Sequence, residues 1–126
     1  MEKRSVTWGR TDPVAVTGIG MICPVGVTAP ECWENLLQGR SGIRRITKFD
    51  PEGCATQVGG QLPDAYYTLE KERTPKRFFK QTVRTTRIVR FCSQQALEDS
   101  GIDLEEEDLH RCAAIVGTSG SSVRSP

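Results

Sequence analysis

An α/β fold is predicted by three stretches of this sequence: a short buried-strand pattern that enters a glycine-rich loop, a capped helix behind it, and a second apolar run, Ala113 to Gly117, beyond the longest helical segment. The first stretch is Val14-Ala15-Val16-Thr17, followed by Gly18-Ile19-Gly20-Met21-Ile22-Cys23-Pro24-Val25-Gly26. Val14 to Val16 is continuously apolar with two β-branched residues, and Gly18, Gly20 and Gly26 permit backbone approaches that a Cβ would block. Such a strand belongs inside a sheet covered on both faces.

Gly18-Ile19-Gly20 begins like the dinucleotide-binding pattern G-x-G-x-x-G, but the spacing fails. The third glycine would fall at Cys23, and Pro24 stands where a phosphate-binding helix needs free amides. The T-G-x-x-x-G pattern fails as well, at Ile22. A structural connection from strand to helix is the expected role.

Before the strand, residues 1–12 are polar and aperiodic and read as a flexible leader, with Trp8 docking on the body and Asp12-Pro13 marking the strand start. After the loop, Thr28-Ala29-Pro30-Glu31 has the form of a capping box with proline in the first turn. It predicts a helix from Ala29 to Gln38 whose Cys32, Trp33, Leu36 and Leu37 make one apolar face and which stops at Gly39. Residues 40–63 are expected to be a long connection with a turn at Asp50-Pro51-Glu52-Gly53 and a short strand within Gln57 to Leu62. Thr74-Pro75 then opens a long helix, capped by threonine, running to Asp99 and ended by Gly101. Its apolar face is expected from Phe78, Val83, Val89, Phe91, Cys92, Ala96 and Leu97.

Composition excludes several classes of function. Seventeen Lys and Arg oppose sixteen Asp and Glu, and a net charge of +1 gives no whole-chain case for nucleic acid. No apolar run approaches the roughly 18 residues of a membrane span, and Met1-Glu2-Lys3-Arg4 leads into no secretion signal, so a cytoplasmic location is expected. Five irregularly spaced cysteines read as free thiols rather than a disulfide framework. With no C-x-x-C pair and a single histidine, no metal site is expected, and no cofactor. Cys92 in the helical pattern and Cys112 at the start of a strand read as small buried hydrophobes.

Val-Thr-Gly-Ile-Gly-Met with Cys-Pro-Val-Gly, and Cys32 through Ile43, resemble the amino-terminal start of β-ketoacyl-[acyl carrier protein] synthases, condensing enzymes with the thiolase fold. Ile46-Thr47-Lys48-Phe49-Asp50, Gln95 through Ile102, and Ala114 through Gly120 keep the same order as the family. The resemblance implies an α/β chain that is the N-terminal part of a thiolase-like (αβαβα) fold, incomplete as an independent domain. With 126 residues it is expected to hold only the opening third of such an enzyme: 13–120 as a partial N-terminal domain and 121–126 as a divergent tail, before the segment with the nucleophile.

The family reaction is a decarboxylative Claisen condensation of acyl and malonyl thioesters in fatty acid or polyketide synthesis. It uses an acylated cysteine and two further residues, commonly histidines. A nucleophilic thiol needs a helix amino-terminus or a cation beside it, and none of the five cysteines answers that description. His110 is the lone histidine; two residues from Cys112 on an extended strand it would stand about 7 Å away. No catalytic residue is assigned, and the chain alone is expected to be inactive.

Charge is nonetheless segregated. Between 71 and 90, eight Lys and Arg face Glu72 alone, while Glu98, Asp99, Asp103, Glu105, Glu106, Glu107 and Asp108 form an acidic counterpart. A solvated helix face and an acidic loop account for this without a partner. The resemblance implies a docking site for acidic acyl carrier protein at Lys71, Arg73, Lys76 and Arg77, where a basic patch steers encounter. The other expected partner is the remaining portion of a synthase or a homodimer mate; the alternative is a non-catalytic interaction module. With only two firm strands, Val14 to Thr17 and Ala113 to Gly117, the isolated chain is expected to be partly unfolded or self-associating.

Overall fold

A computed structural model describes residues 13–118. The leader at 1–12 with Trp8, and the tail at 121–126, lie outside the described residues, as do the last two positions of the expected domain. The elements are α1 (Ala29–Leu37), β1 (Ile43–Arg45), β2 (Val58–Gly60), α2 (Asp64–Arg73), α3 (Lys76–Gln81) and α4 (Arg84–Ser100), with a 3₁₀ turn at Leu109–Arg111.

α1 starts as its sequence dictates. The Thr28 hydroxyl accepts from the Glu31 amide at 3.3 Å, while the Glu31 carboxylate reaches one residue further back than a capping box requires, to the Val27 amide at 2.8 Å. The expected apolar face is split, however. Cys32 is fully buried, whereas Trp33, Leu36 and Leu37 are exposed, because no described element lies against them.

The connection after α1 holds a hairpin. β1 pairs antiparallel with β2 in the register Ile43 with Gly60 and Arg45 with Val58, so the Arg44-Arg45 segment is strand and not loop. Asp50 to Gly53 turns as its residues predict: the Asp50 carboxylate accepts from the Glu52 amide at 3.1 Å, and Gly53 has φ +81°. Pro24 is the peg between the glycine loop and this hairpin. A Cβ on Gly42 would come within 2.6 Å of it, and one on Gly60 within 2.8 Å.

The long helix expected from Thr74 to Asp99 is two pieces, α3 and α4. α2 lies upstream of it and was hidden by its weakly patterned sequence, Asp64 to Arg73. Thr74 does not cap a helix start. It is the extended residue that ends α2 (φ −110°, ψ 121°), as the clash with Pro75 favours. α3 begins after Pro75 and stops at Thr82-Val83, two β-branched residues in extended geometry, where the Thr82 hydroxyl donates to Phe78 O at 2.7 Å. Gly101 ends α4 in the left-handed region, φ +66°.

The core is small: Val27, Tyr66 and Phe91, with Ile22, Leu62, Tyr67, Leu69 and Ile88 packed around them. Tyr66 meets Phe91 edge to face at 5.3 Å. Of the expected α4 face, Phe91 enters this core; Val83 and Val89 line an open cleft, and Leu97 is exposed. The expected strands at Val14 to Thr17 and Ala113 to Gly117 form no strand and have no ladder partners among the described residues, and Val14 and Ile115 are 92% and 95% exposed. The only ladder described is the β1–β2 hairpin, so nothing supplies the parallel neighbours on which a buried strand depends.

Candidate functional site

The glycine-rich turn lies directly on α4. A Cβ on Gly18 would fall 2.1 Å from Ala96 O, and one on Gly20 1.8 Å from Cys92 O, so the two backbones touch where side chains are missing. α4 then fills the polar groups of the turn. Asp99 accepts from the Ile19 amide at 2.8 Å; Gln95 accepts from the Met21 amide at 3.1 Å and donates to Val27 O at 2.6 Å. The Cys23 amide bonds Gly26 O at 3.0 Å. The Ile19, Met21 and Cys23 amides are thus engaged by side chains of α4 and by the turn itself.

The basic segment divides into two populations. Arg84, Arg87 and Arg90 are engaged by groups of α2 and α3, Arg84 while still exposed. Arg84 donates to the Tyr67 hydroxyl at 2.7 Å, and Arg90 donates to Arg73 O at 3.1 Å while lying over Phe78. Arg87 pairs with the buried Glu70 at 3.0 Å, stacks 4.3 Å from the Phe79 ring centre and donates to Thr82 O, closing the break between α3 and α4. Glu70 also accepts from the Tyr66 hydroxyl at 2.7 Å, and burial followed by this bond pushes the Tyr66 phenol up. Sequence patterning reads these arginines as solvent face because it cannot see the partners 17 residues away: the Tyr67 hydroxyl, the Glu70 carboxylate and the Arg73 carbonyl.

The four candidate carrier-contact residues fall on both sides of Thr74-Pro75. Lys71 and Arg73 end α2, Lys76 and Arg77 begin α3, and all four are exposed. Lys71 and Lys76 share a cleft of about 250 Å³ with Thr74, Phe79 and Lys80. Lys80 completes that lysine rim and was missed as a candidate, although it lies in the same basic run. Arg73 is committed elsewhere, 3.2 Å from Glu98 and over the Phe91 ring.

The thiols and the histidine are scattered. Cys32 occupies the first turn of α1, where the helix dipole favours a thiolate, yet burial, followed by the contact with Cys23, pushes its thiol up to about 11. Burial also raises Cys92, partly offset by a hydrogen bond with the Ile22 backbone. Cys54 and Cys112 are exposed. Cys112 follows the 3₁₀ turn instead of opening a strand, and its thiol points to Asp108 O at 3.7 Å. His110 sits in that turn, exposed, with its amide bonded to Asp108. Among the described residues no three potential metal ligands gather, and no helix is long and apolar enough to cross a membrane.

Residues 11–125 match the family model described as Beta-ketoacyl synthase, N-terminal domain. The chain belongs to the β-ketoacyl synthase family. It is 34% identical to 3-oxoacyl-[acyl-carrier-protein] synthase 2 of Synechocystis sp. over 108 residues, which are 83% of this chain and 24% of the relative. It is 39% identical to the Tetracenomycin polyketide synthase ketoacyl synthase beta subunit of Streptomyces glaucescens, over 76% of this chain and 23% of that one. Among solved structures, the ishigamide ketosynthase/chain length factor superposes with a TM-score of 0.59 at 27% identity, covering 72% of this chain and 22% of that one. The fold is therefore the N-terminal part of a thiolase-like α/β fold, and the chain spans about a quarter of the length of these relatives, less than the third expected from the sequence.

Proposed function

We infer that the chain is the opening scaffold of a synthase performing decarboxylative Claisen condensation of acyl and malonyl thioesters, and that these 126 residues alone are inactive. The observation that carries this reading is the family match over residues 11–125, within about a quarter of the length of the relatives, by a chain whose only histidine is solvent-exposed and whose one helix-start thiol is held protonated. The exposed segments 13–17 and 113–117 are where further strands of a synthase or a homodimer mate would pair, and their exposure favours self-association of the isolated chain. Residues 13–120 act as a partial N-terminal domain between the leader and the tail, in a cytoplasmic synthase.

Acyl carrier protein is the proposed partner of Lys71, Arg73, Lys76 and Arg77. The exposed cations around the Lys71–Lys76 cleft support this, while Arg84, Arg87 and Arg90 are engaged within the fold. Replacing Lys71 and Lys76 by Glu is expected to weaken carrier binding about tenfold or more at low salt, with the difference shrinking as salt rises. Equal binding by the variant would remove this assignment. A second reading, a non-catalytic interaction module, draws on the relatives named as a beta subunit and as a ketosynthase/chain length factor, each one part of a larger assembly. A downstream open frame encoding a cysteine-centred motif and two later histidines favours the first reading; its absence favours the second.

A further inference from the structure

Cys23 and Cys32 are brought together by two local constraints outside the basic face. Cys23 opens a turn closed by reciprocal backbone bonds with Gly26 at 3.0 and 3.1 Å, and Cys32 is fixed in the first turn of α1, its amide donating to Thr28 O at 2.9 Å. The turn lies over that helical turn so closely that a Cβ on Gly26 would fall 2.9 Å from the Cys32 sulfur. The two sulfurs are 3.2 Å apart, with the Cys23 thiol donating to Cys32. A disulfide bond measures about 2.0 Å, so closing it asks the two sulfurs to approach by about 1 Å.

We propose that Cys23 and Cys32 form a reversible dithiol–disulfide site oxidised by low-molecular-weight disulfides of the glutathione type. Cys23 is half-buried and Cys32 has no exposed surface, which fixes the order of events. The Cys23 thiolate attacks one sulfur of the small disulfide, forming a mixed disulfide and releasing one small thiolate. Cys32 then loses its proton and attacks the Cys23 sulfur, forming the internal bond and releasing the second small thiolate. The two protein thiols are oxidised, the small disulfide is reduced to two thiols, and the two protons end on these. Because burial holds the Cys32 thiol up to about 11, the second step accelerates as pH rises toward that value. The new bond ties the glycine turn covalently to the start of α1.

The test is equilibration of the full 126-residue chain in glutathione redox buffers, followed by thiol alkylation and non-reducing peptide mapping by mass spectrometry. Expected is a Cys23–Cys32-linked peptide as the main oxidised species, with an effective concentration for the pair at least about tenfold higher in buffer than in urea, where only chain connectivity joins the thiols. Cys32→Ala is expected to accumulate glutathione on Cys23, and Cys23→Ala to leave Cys32 unmodified; circular dichroism of each confirms that the fold is kept. If either variant unfolds, the comparison of wild type in buffer and in urea decides alone. A stable glutathione adduct on wild-type Cys23, or linkage no more favourable in buffer than in urea, overturns the proposal.

Discussion

The covered and bare halves of this chain are built from similar residues and meet very different fates. Val14 to Thr17 is the more apolar and β-branched segment, yet it stands open to solvent, while the glycine-rich run immediately after it is laid tightly on α4. Residues 113–117, strand-like in composition too, are also exposed, with Val116 and Gly117 lining the open cleft beside Val83 and Val89. The contrast teaches that apolar patterning states what a segment can pair with, whereas burial depends on whether the complementary element is present. Gly18 and Gly20 find theirs, the Cys92–Ala96 backbone; the two apolar segments find no ladder partner among the described residues.

Substitutions in the covered half should therefore be costly and those in the bare half nearly silent. The largest effect is expected at Arg87. Arg87→Ala leaves Glu70 buried without its cation, a loss of about 3–5 kcal/mol, whereas Lys80→Ala on the outer rim stays within about 0.5 kcal/mol. Gly20→Ala drives a methyl into a backbone carbonyl 1.8 Å away and is expected to cost about 3 kcal/mol. Denaturant titrations compare all of these, and equal midpoints for Gly20→Ala and wild type would mean that the turn does not rest on α4. Gln95→Ala removes one acceptor and one donor to the turn and should cost about 1–3 kcal/mol.

A pH effect sharpens the same contrast. Cys32 has a folded value near 11 against an ordinary 9.0, so the folded state favours the neutral thiol. Its contribution is fully present below pH 9 and is lost as pH climbs from about 9 to about 11; burial of the Tyr66 phenol, whose value is also raised, extends the fall to higher pH. Melting curves of Cys32→Ala should decline less steeply across that window. The smallest effect is expected at Val16→Thr and Ile115→Thr, which should leave the midpoint within about 0.5 kcal/mol while reducing self-association measured by light scattering.

Local signals were the legible ones. Thr28-Ala29-Pro30-Glu31, Gly101 and the Asp50–Gly53 turn act within a few residues, and each is found where the sequence puts it. The failed G-x-G-x-x-G spacing gave no hint of Pro24 as a peg against Gly42 and Gly60. What escaped reading is non-local. The division of residues 74–99 depends on Thr82-Val83 and on Arg87 reaching back across the break, and α2 has a charged sequence, Asp64 to Arg73, that becomes helix by placing Tyr66 and Glu70 against α4. The basic run was visible as charge; which members are engaged within the fold was not, because that choice is made by Glu70, Tyr67 and Phe78.

The central claim is that this stretch supplies scaffold and a docking face while the bond-forming groups lie elsewhere. Incubating the purified 126-residue chain with acyl and malonyl carrier proteins, and following both thioester formation on the chain and release of extended product by mass spectrometry, addresses it directly. The account predicts no acyl adduct on any of the five cysteines and no condensation product. An acylated cysteine that goes on to yield a chain-extended β-ketoacyl thioester would contradict it.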